Sequence, residues 1–110
     1  MARNKVTFTD GVIRVNGEHV GYMSSGSEVW VDFWRDPNDK TKHREFVARF
    51  KYIKPRTKAK HFIKWALQNF TPAQVIDGGK ASSPIEWAEA NGYVSYMKQQ
   101  YSKSLLQKSA

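Results

Sequence analysis

No cysteine occurs in this chain, which excludes disulfides, thiolate nucleophiles and cysteine-ligated zinc. No apolar run approaches the roughly 18 residues that a membrane-spanning helix needs. The opening Met1-Ala2-Arg3-Asn4-Lys5 leads into the alternating Val6-Thr7-Phe8-Thr9 and not into the apolar stretch of a secretory signal. A reducing, cytoplasmic location without a membrane partner is therefore expected. Proline is scarce, at four residues, and there is no internal repeat or low-complexity segment, so a disordered basic tail is disfavoured.

Catalytic signatures are missing too. The HExxH, GxSxG and phosphate-loop patterns are absent, and Gly78-Gly79-Lys80 is short and follows a helical segment, so it reads as a helix stop. His19, His43 and His61 fall in a hairpin, a loop and a helix, with no second histidine at metal-ligand spacing. Asp32, Asp36 and Asp39 beside Lys40 are the one acidic group that could hold a divalent ion for a nuclease, yet Pro37-Asn38 suits a turn with side-chain capping better. The expectation is a non-enzyme that uses neither metal nor cofactor.

What the chain has in excess is positive charge, and it is local. Eighteen Lys/Arg against ten Asp/Glu give a net charge of +8. Residues 40–64 hold ten of the cations (Lys40, Lys42, Arg44, Arg49, Lys51, Lys54, Arg56, Lys58, Lys60 and Lys64) against one acid, Glu45, so the remainder is close to neutral. A regional excess of one sign beside aromatic residues is the footprint of a protein that docks on a polyanion, most often nucleic acid.

At 110 residues, 40% hydrophobic and 14% aromatic, the chain has the mass for one folded domain. Alternation from Lys5 onward, punctuated by Asp10-Gly11 and Asn16-Gly17, predicts two short hairpins, or one bulged strand and a hairpin. Ser24-Ser25-Gly26-Ser27 is an exposed loop. The next strand carries Val29, Val31 and Phe33 on one face and Trp30 and Trp34 on the other with Asp32 between them. A return strand from Glu45 to Ile53 places Phe46, Ala48, Phe50 and Tyr52 opposite Val47, Arg49, Lys51 and Ile53. If Phe33 and Phe46 both face the core, Trp30 and Trp34 share the second face with Arg49 and Lys51. That face either binds bases and phosphates or is covered by the C-terminal helices.

After Pro55, with Thr57 as candidate N-cap, Ala59, Phe62, Ile63, Ala66, Leu67 and Phe70 form an amphipathic stripe. Thr71-Pro72-Ala73-Gln74 and Ser83-Pro84-Ile85-Glu86 are capping boxes, the first opening a helix that should end by Gly78-Gly79, the second one that meets Gly92. Tyr93, Met97, Tyr101 and Leu105 recur every four residues in a final helix reaching Gln107, and the last three residues should fray. The expected fold is α+β, one domain over residues 1–110, with an N-terminal antiparallel sheet of about four or five strands (residues 5–53) and three or four C-terminal α-helices (residues 57–107).

Two functions fit. In the first, a small basic protein binds nucleic acid, DNA in preference to RNA. Its strand-to-helix region meets phosphates through Arg49, Lys51, Lys54, Arg56, Lys58, Lys60 and Lys64, while Trp30, Trp34 and Trp65 stack on bases. In the second, an accessory or inhibitory module of the kind phages and mobile elements encode binds an acidic protein partner through the same charges and tryptophans.

Overall fold

The computed structural model describes residues 3–101. Five strands, β1 (Val6–Thr9), β2 (Val12–Val15), β3 (Glu18–Met23), β4 (Glu28–Phe33) and β5 (Glu45–Lys51), pair in sequence order as one antiparallel meander. Helices α1 (Pro55–Asn69), α2 (Pro72–Ala81) and α3 (Pro84–Ala90) follow. A fourth, α4, starts at residue 96 and runs to the last described residue, 101. The chain is thus α+β, with the sheet first and the helices last.

Both turn dipeptides make two-residue hairpin loops. Asp10 and Gly11 (φ 51° and 82°) join β1 to β2, and Asn16 and Gly17 (φ 52° and 86°) join β2 to β3. Positive φ at both central residues matches the turn to the right-handed twist of the strands. The Asn16 side chain also accepts from the Lys5 amide at 2.8 Å and donates to Asn4 Oδ1 at 3.0 Å, tying the turn to the start of β1.

Two bulges bend the sheet. Along β2 the partner jumps from Gly21, opposite Ile13, to His19, opposite Arg14, leaving Val20 unpaired. Along β4 it jumps from Ala48, opposite Val31, to Phe46, opposite Asp32, leaving Val47 unpaired. Both extra residues are buried, so each bulge adds an inward side chain and tightens the curl. The concave side holds α1, which packs against β1, β4 and β5 and so bridges both edges of the meander.

The second bulge changes the expected faces of β5. Val29, Val31 and Phe33 do point inward. Unbroken alternation would send Phe46 inward with Ala48 and Phe50. The inserted Val47 reverses the phase, and Phe46 lies on the outer face, 55% exposed. The strand also ends at Lys51, not Ile53. Tyr52 and Lys54 adopt positive φ (70° and 49°), and Tyr52 and Ile53 project into solvent.

In α1 the buried residues are Ala59, Phe62, Ile63, Ala66 and Leu67, the expected stripe without the half-buried Phe70. Phe62, Ile63 and Leu67 are at most 1% exposed, each worth about 1.5–3 kcal/mol of apolar burial. The helix begins earlier than Thr57. Pro55 occupies its first turn, and Lys54 is the N-cap without a side-chain cap bond, because proline's fixed φ suits that first turn.

The capping box at Thr71 closes in both directions with Gln74. At Ser83 only the hydroxyl half forms, accepting from the Glu86 amide at 3.2 Å. Helix α2 continues through Gly78 and Gly79 to Ala81 instead of stopping there. A Cβ on Gly78 would come within 2.2 Å of the Trp87 indole, and one on Gly79 within 3.2 Å of Pro84. These glycines allow α3 to lie close against α2. Gly92, with φ 100°, follows α3 as expected of a C-terminal glycine. Tyr93 is buried ahead of α4, whereas Met97 and Tyr101 are exposed. Leu105, Gln107 and the last three residues lie outside the described residues.

Candidate nucleic-acid interface

With α1 on the concave side, no helix of the described residues covers the opposite side of the sheet, although Tyr96 and Met97 of α4 share a cavity with Arg49 and Lys51 at its β5 margin. That outer surface draws its side chains from alternate positions of β2 to β5 and from the segment joining β4 to β5. Trp30 is 48%, Phe46 55% and Tyr22 37% exposed, and cations lie among them.

One group centres on Trp30. Its ring lies 5.6 Å from that of Phe46, and the Arg49 guanidinium, across the β4–β5 pair, sits 5.1 Å from the Trp30 centroid. The other group centres on Trp34, just past the end of β4. His19 and Tyr22 pack on it edgewise or tilted, at 4.9 and 6.0 Å between centroids. Arg44 covers both aromatic residues, 4.4 Å from the Tyr22 ring and 5.3 Å from that of Trp34, and Lys40 also lies 5.3 Å from Trp34. Trp34 is consequently only 8% exposed, shielded by side chains of this face. Each such cation–aromatic contact contributes about 0.5–1 kcal/mol where solvent reaches it.

Asp32 lies between the groups, opposite Tyr22 on β3 and Phe46 on β5. Its Oδ1 accepts from Arg44 Nε at 2.9 Å. A cavity of about 370 Å³ opens beside the pair, lined by Asp32, Trp34, Arg44, Lys40, Lys42 and His43 among others. The other two carboxylates of the acidic group are engaged in the connecting turn. Asp36 accepts from the Asn38 amide at 2.9 Å, and Asp39 from the Thr41 amide at 3.2 Å and from the Thr41 hydroxyl. Among the described residues no three histidines or carboxylates converge where a metal ion could be held.

His19 Nε2 donates to Gly21 O at 3.1 Å. Its pKa is held below the usual histidine value, first by burial against its neighbours and then by the field of Arg14, Lys40 and Arg44, although the Gly21 contact works the other way.

The residues singled out by sequence divide between two layers. Trp30, Trp34, Arg49 and Lys51 belong to the outer sheet side. Lys54 and Arg56 are exposed at the β5–α1 junction beside it. Lys58 is turned back, its Nζ donating to Lys51 O at 2.7 Å, and Lys60 lies 5.9 Å from the Phe8 ring over β1. Lys64 is exposed beside a shallow cavity with His61 and Trp65. Trp65 itself packs within the helical layer, 5.1 Å from Tyr93, 5.7 Å from Phe70 and 6.0 Å from Trp87. It is separated from Trp30 and Trp34 by the sheet.

Sequence reading placed Asp32 between Trp30 and Trp34 on this face, but it missed Tyr22 and His19 as members of the surface and counted Arg44 only as charge. The Asn16-Gly17 turn does not place Tyr22, because the bulge at Val20 shifts the phase of β3 beyond the turn and the pairing with Asp32 is made across β3 and β4. Phe46 could not be placed without knowing the bulge at Val47.

A separate cluster ties the sheet to α2. Arg35 makes two hydrogen bonds to each of Glu45 and Asp77, at 2.8 to 3.1 Å, and Lys80 reaches Glu45 at 2.8 Å. Hydrogen bonds from Arg35 and then Lys80 pull the Glu45 carboxyl down to about 2, and Arg35 likewise lowers that of Asp77. Glu45, the one acid of the basic stretch, is thereby committed to structure. No helix of the described residues is long and apolar enough to cross a membrane. No protein family, curated protein or solved structure matches this chain.

Proposed function

We propose that this is a small, non-enzymatic nucleic-acid-binding protein that docks with the side of its sheet opposite α1. The observation that carries the reading is that no helix among the described residues covers this side while it exposes Trp30, Phe46 and Tyr22 interleaved with Arg44 and Arg49. A helix-covered sheet needs only one apolar face, and leaving large aromatic side chains in solvent on the other gains nothing for folding. Cations set among them provide phosphate contacts. Lys40 and Lys42 at one margin, and Lys51, Lys54 and Arg56 at the other, extend the positive surface beyond the aromatic residues.

This reading keeps the strand end and the helix start of the basic segment as backbone contacts and moves the centre of the site to β3–β4–β5. The test is fluorescence anisotropy of labelled DNA and RNA, single-stranded and duplex, at about 50 and 200 mM salt. Several phosphate contacts make affinity fall by orders of magnitude over that interval. Charge reversal at Arg49 and Lys51 should weaken binding with the melting temperature retained. An acidic protein partner would fit the same aromatic and arginine groups. Absence of nucleic-acid binding at the lower salt, with capture of an acidic protein that depends on Trp30, would replace the first reading by that one.

A further inference from the structure

Resting on the reading above, we infer that the partner is duplex DNA and that Arg44 reads guanine in its major groove, with Asp32 as the positioning residue. The argument starts from how Arg44 is held. Its Nε is fixed by Asp32 Oδ1 at 2.9 Å, and its guanidinium plane is held by the Tyr22 and Trp34 rings at 4.4 and 5.3 Å. Among the described residues neither terminal amino group has a hydrogen-bond partner, and the side chain remains 38% exposed. The result is a rigid fork with two free donors.

Three ligands accept from such a fork: a phosphate, a carboxylate, and the paired N7 and O6 atoms of guanine. Asp32 decides among them. Its charge offsets that of Arg44 locally, and its own side chain is 36% exposed at the same surface, so an anion seated on the two amino groups meets a carboxylate beside them, while the cavity's remaining positive charge lies on Lys40 and Lys42. A neutral base edge meets no such obstacle. Asp32 also presents an acceptor next to the donors, which suits the exocyclic amine of cytosine, and the pair together complements a G·C edge. Phosphates are left to the unneutralised Lys40 and Lys42 along the same cavity.

Shape points the same way. Two neighbouring strands at the usual 4.7–4.9 Å spacing occupy about 10 Å, so the β4–β5 pair, which carries Asp32 and Arg49 on its outer side, has the width of the two-stranded ribbon that a major groove admits. The major groove of B-form DNA is about 12 Å wide, whereas that of A-form RNA is too narrow for side chains to read. Single strands fit less well. The rings of Tyr22 and Trp34 already carry Arg44, with Trp34 only 8% exposed, and Trp30 carries Arg49, so Tyr22 and Trp34 serve first as supports for the guanidinium group, and stacking of single-stranded bases is left to Trp30 and Phe46.

The experiment compares three duplexes of about 16 base pairs: alternating G·C, alternating A·T, and G·C with every guanine replaced by 7-deazaguanine, which loses the N7 acceptor but keeps the backbone. Wild-type protein should prefer the first over the other two by about 5- to 150-fold, the worth of one bidentate base contact. Arg44→Lys keeps the charge and loses the fork, so the preference should vanish. Asp32→Asn removes a negative charge from the interface. It should raise affinity for all three duplexes while narrowing the preference, an increase that damage to the fold would not produce. Melting curves check that each variant is folded. Equal wild-type binding to all three duplexes, a preference retained in Arg44→Lys, or binding to single strands alone would overturn the inference and leave the proposed function standing. Binding to no nucleic acid at about 50 mM salt would overturn both.

Discussion

The molecule has two aromatic clusters, and they are built differently. In the helical layer Trp65, Phe70, Trp87 and Tyr93 pack on one another at 4.9 to 6.0 Å between centroids. None of these rings is paired with a cation among the described residues. On the outer side of the sheet Trp30, Trp34 and Tyr22 each carry an arginine. The first cluster satisfies itself and joins α1, α2 and α3. The second spends its rings on orienting charge toward solvent. Two tryptophans that look alike in sequence, Trp65 and Trp30, thus belong to packing and to the proposed interface respectively.

The largest expected effect comes from breaking the first cluster. Trp87→Ala removes a ring packed on Trp65, Phe70 and Gly78. Loss of a core tryptophan costs about 3–5 kcal/mol, with the low end expected for a half-buried one, or a fall of about 12 °C or more in Tm for a domain near this size. Trp30→Ala should shift Tm by less than about 4 °C, as surface changes usually cost under about 0.5 kcal/mol, while weakening nucleic-acid binding. Comparable melting losses in the two variants would erase the distinction between the clusters.

A smaller loss is expected from Gly78→Ala. Its added methyl must displace the Trp87 indole, an overpacking that costs about 1–3 kcal/mol. Thermal melting should show it, and the salt dependence of polyanion binding should stay that of the wild type, because the outer side of the sheet is untouched. An unchanged Tm would mean that α2 and α3 are not held as closely as their glycines permit.

The Arg35 cluster adds a pH dependence of stability in the acid range. Glu45 has a folded pKa of about 2 against an ordinary 4.5. Its ionised form is favoured by folding, so its contribution is fully present above pH 4.5 and is lost as pH falls toward 2. Glu45→Gln should flatten the fall in Tm across that interval. A wild-type slope in the variant would show that Arg35 holds α2 through Asp77 alone.

Much of this architecture was legible because local signals agreed with the global fold. Asp10-Gly11 and Asn16-Gly17 specify their turns, Ala59 to Leu67 specify a buried helix face, and Thr71 with Gln74 marks a helix start. The misses have physical reasons. Gly78-Gly79 reads as a stop by propensity, but tertiary packing against Trp87 and Pro84 overrides it. Phe46 reads as core because period two holds only where no bulge intervenes. The candidate site was half legible: charge marks Arg49 and Lys51, but Arg44 gains its role from Tyr22, Asp32 and Trp34, which only strand pairing brings together. Charge density alone does not distinguish Arg44, fixed by three neighbours, from Lys64, which is free on the surface of α1.

The smallest expected effect sharpens the comparison from the side of the open sheet. His19 packs against Tyr22 and Trp34, and Arg14, Lys40 and Arg44 help to hold its pKa below 6.5. Its neutral form is thus favoured in the free protein. A bound polyanion supplies negative potential that offsets those cations, so the pKa rises on binding. By linkage the complex takes up a proton, and affinity increases as pH falls through the region of 6.5 and below. The increase should be a few-fold at fixed salt and should disappear in His19→Gln. His43 borders the neighbouring cavity, so His43→Gln is the matched control and should keep most of the slope. If the slope instead follows His43, the ligand lies along the β4–β5 connection and not over the rings of β3 and β4.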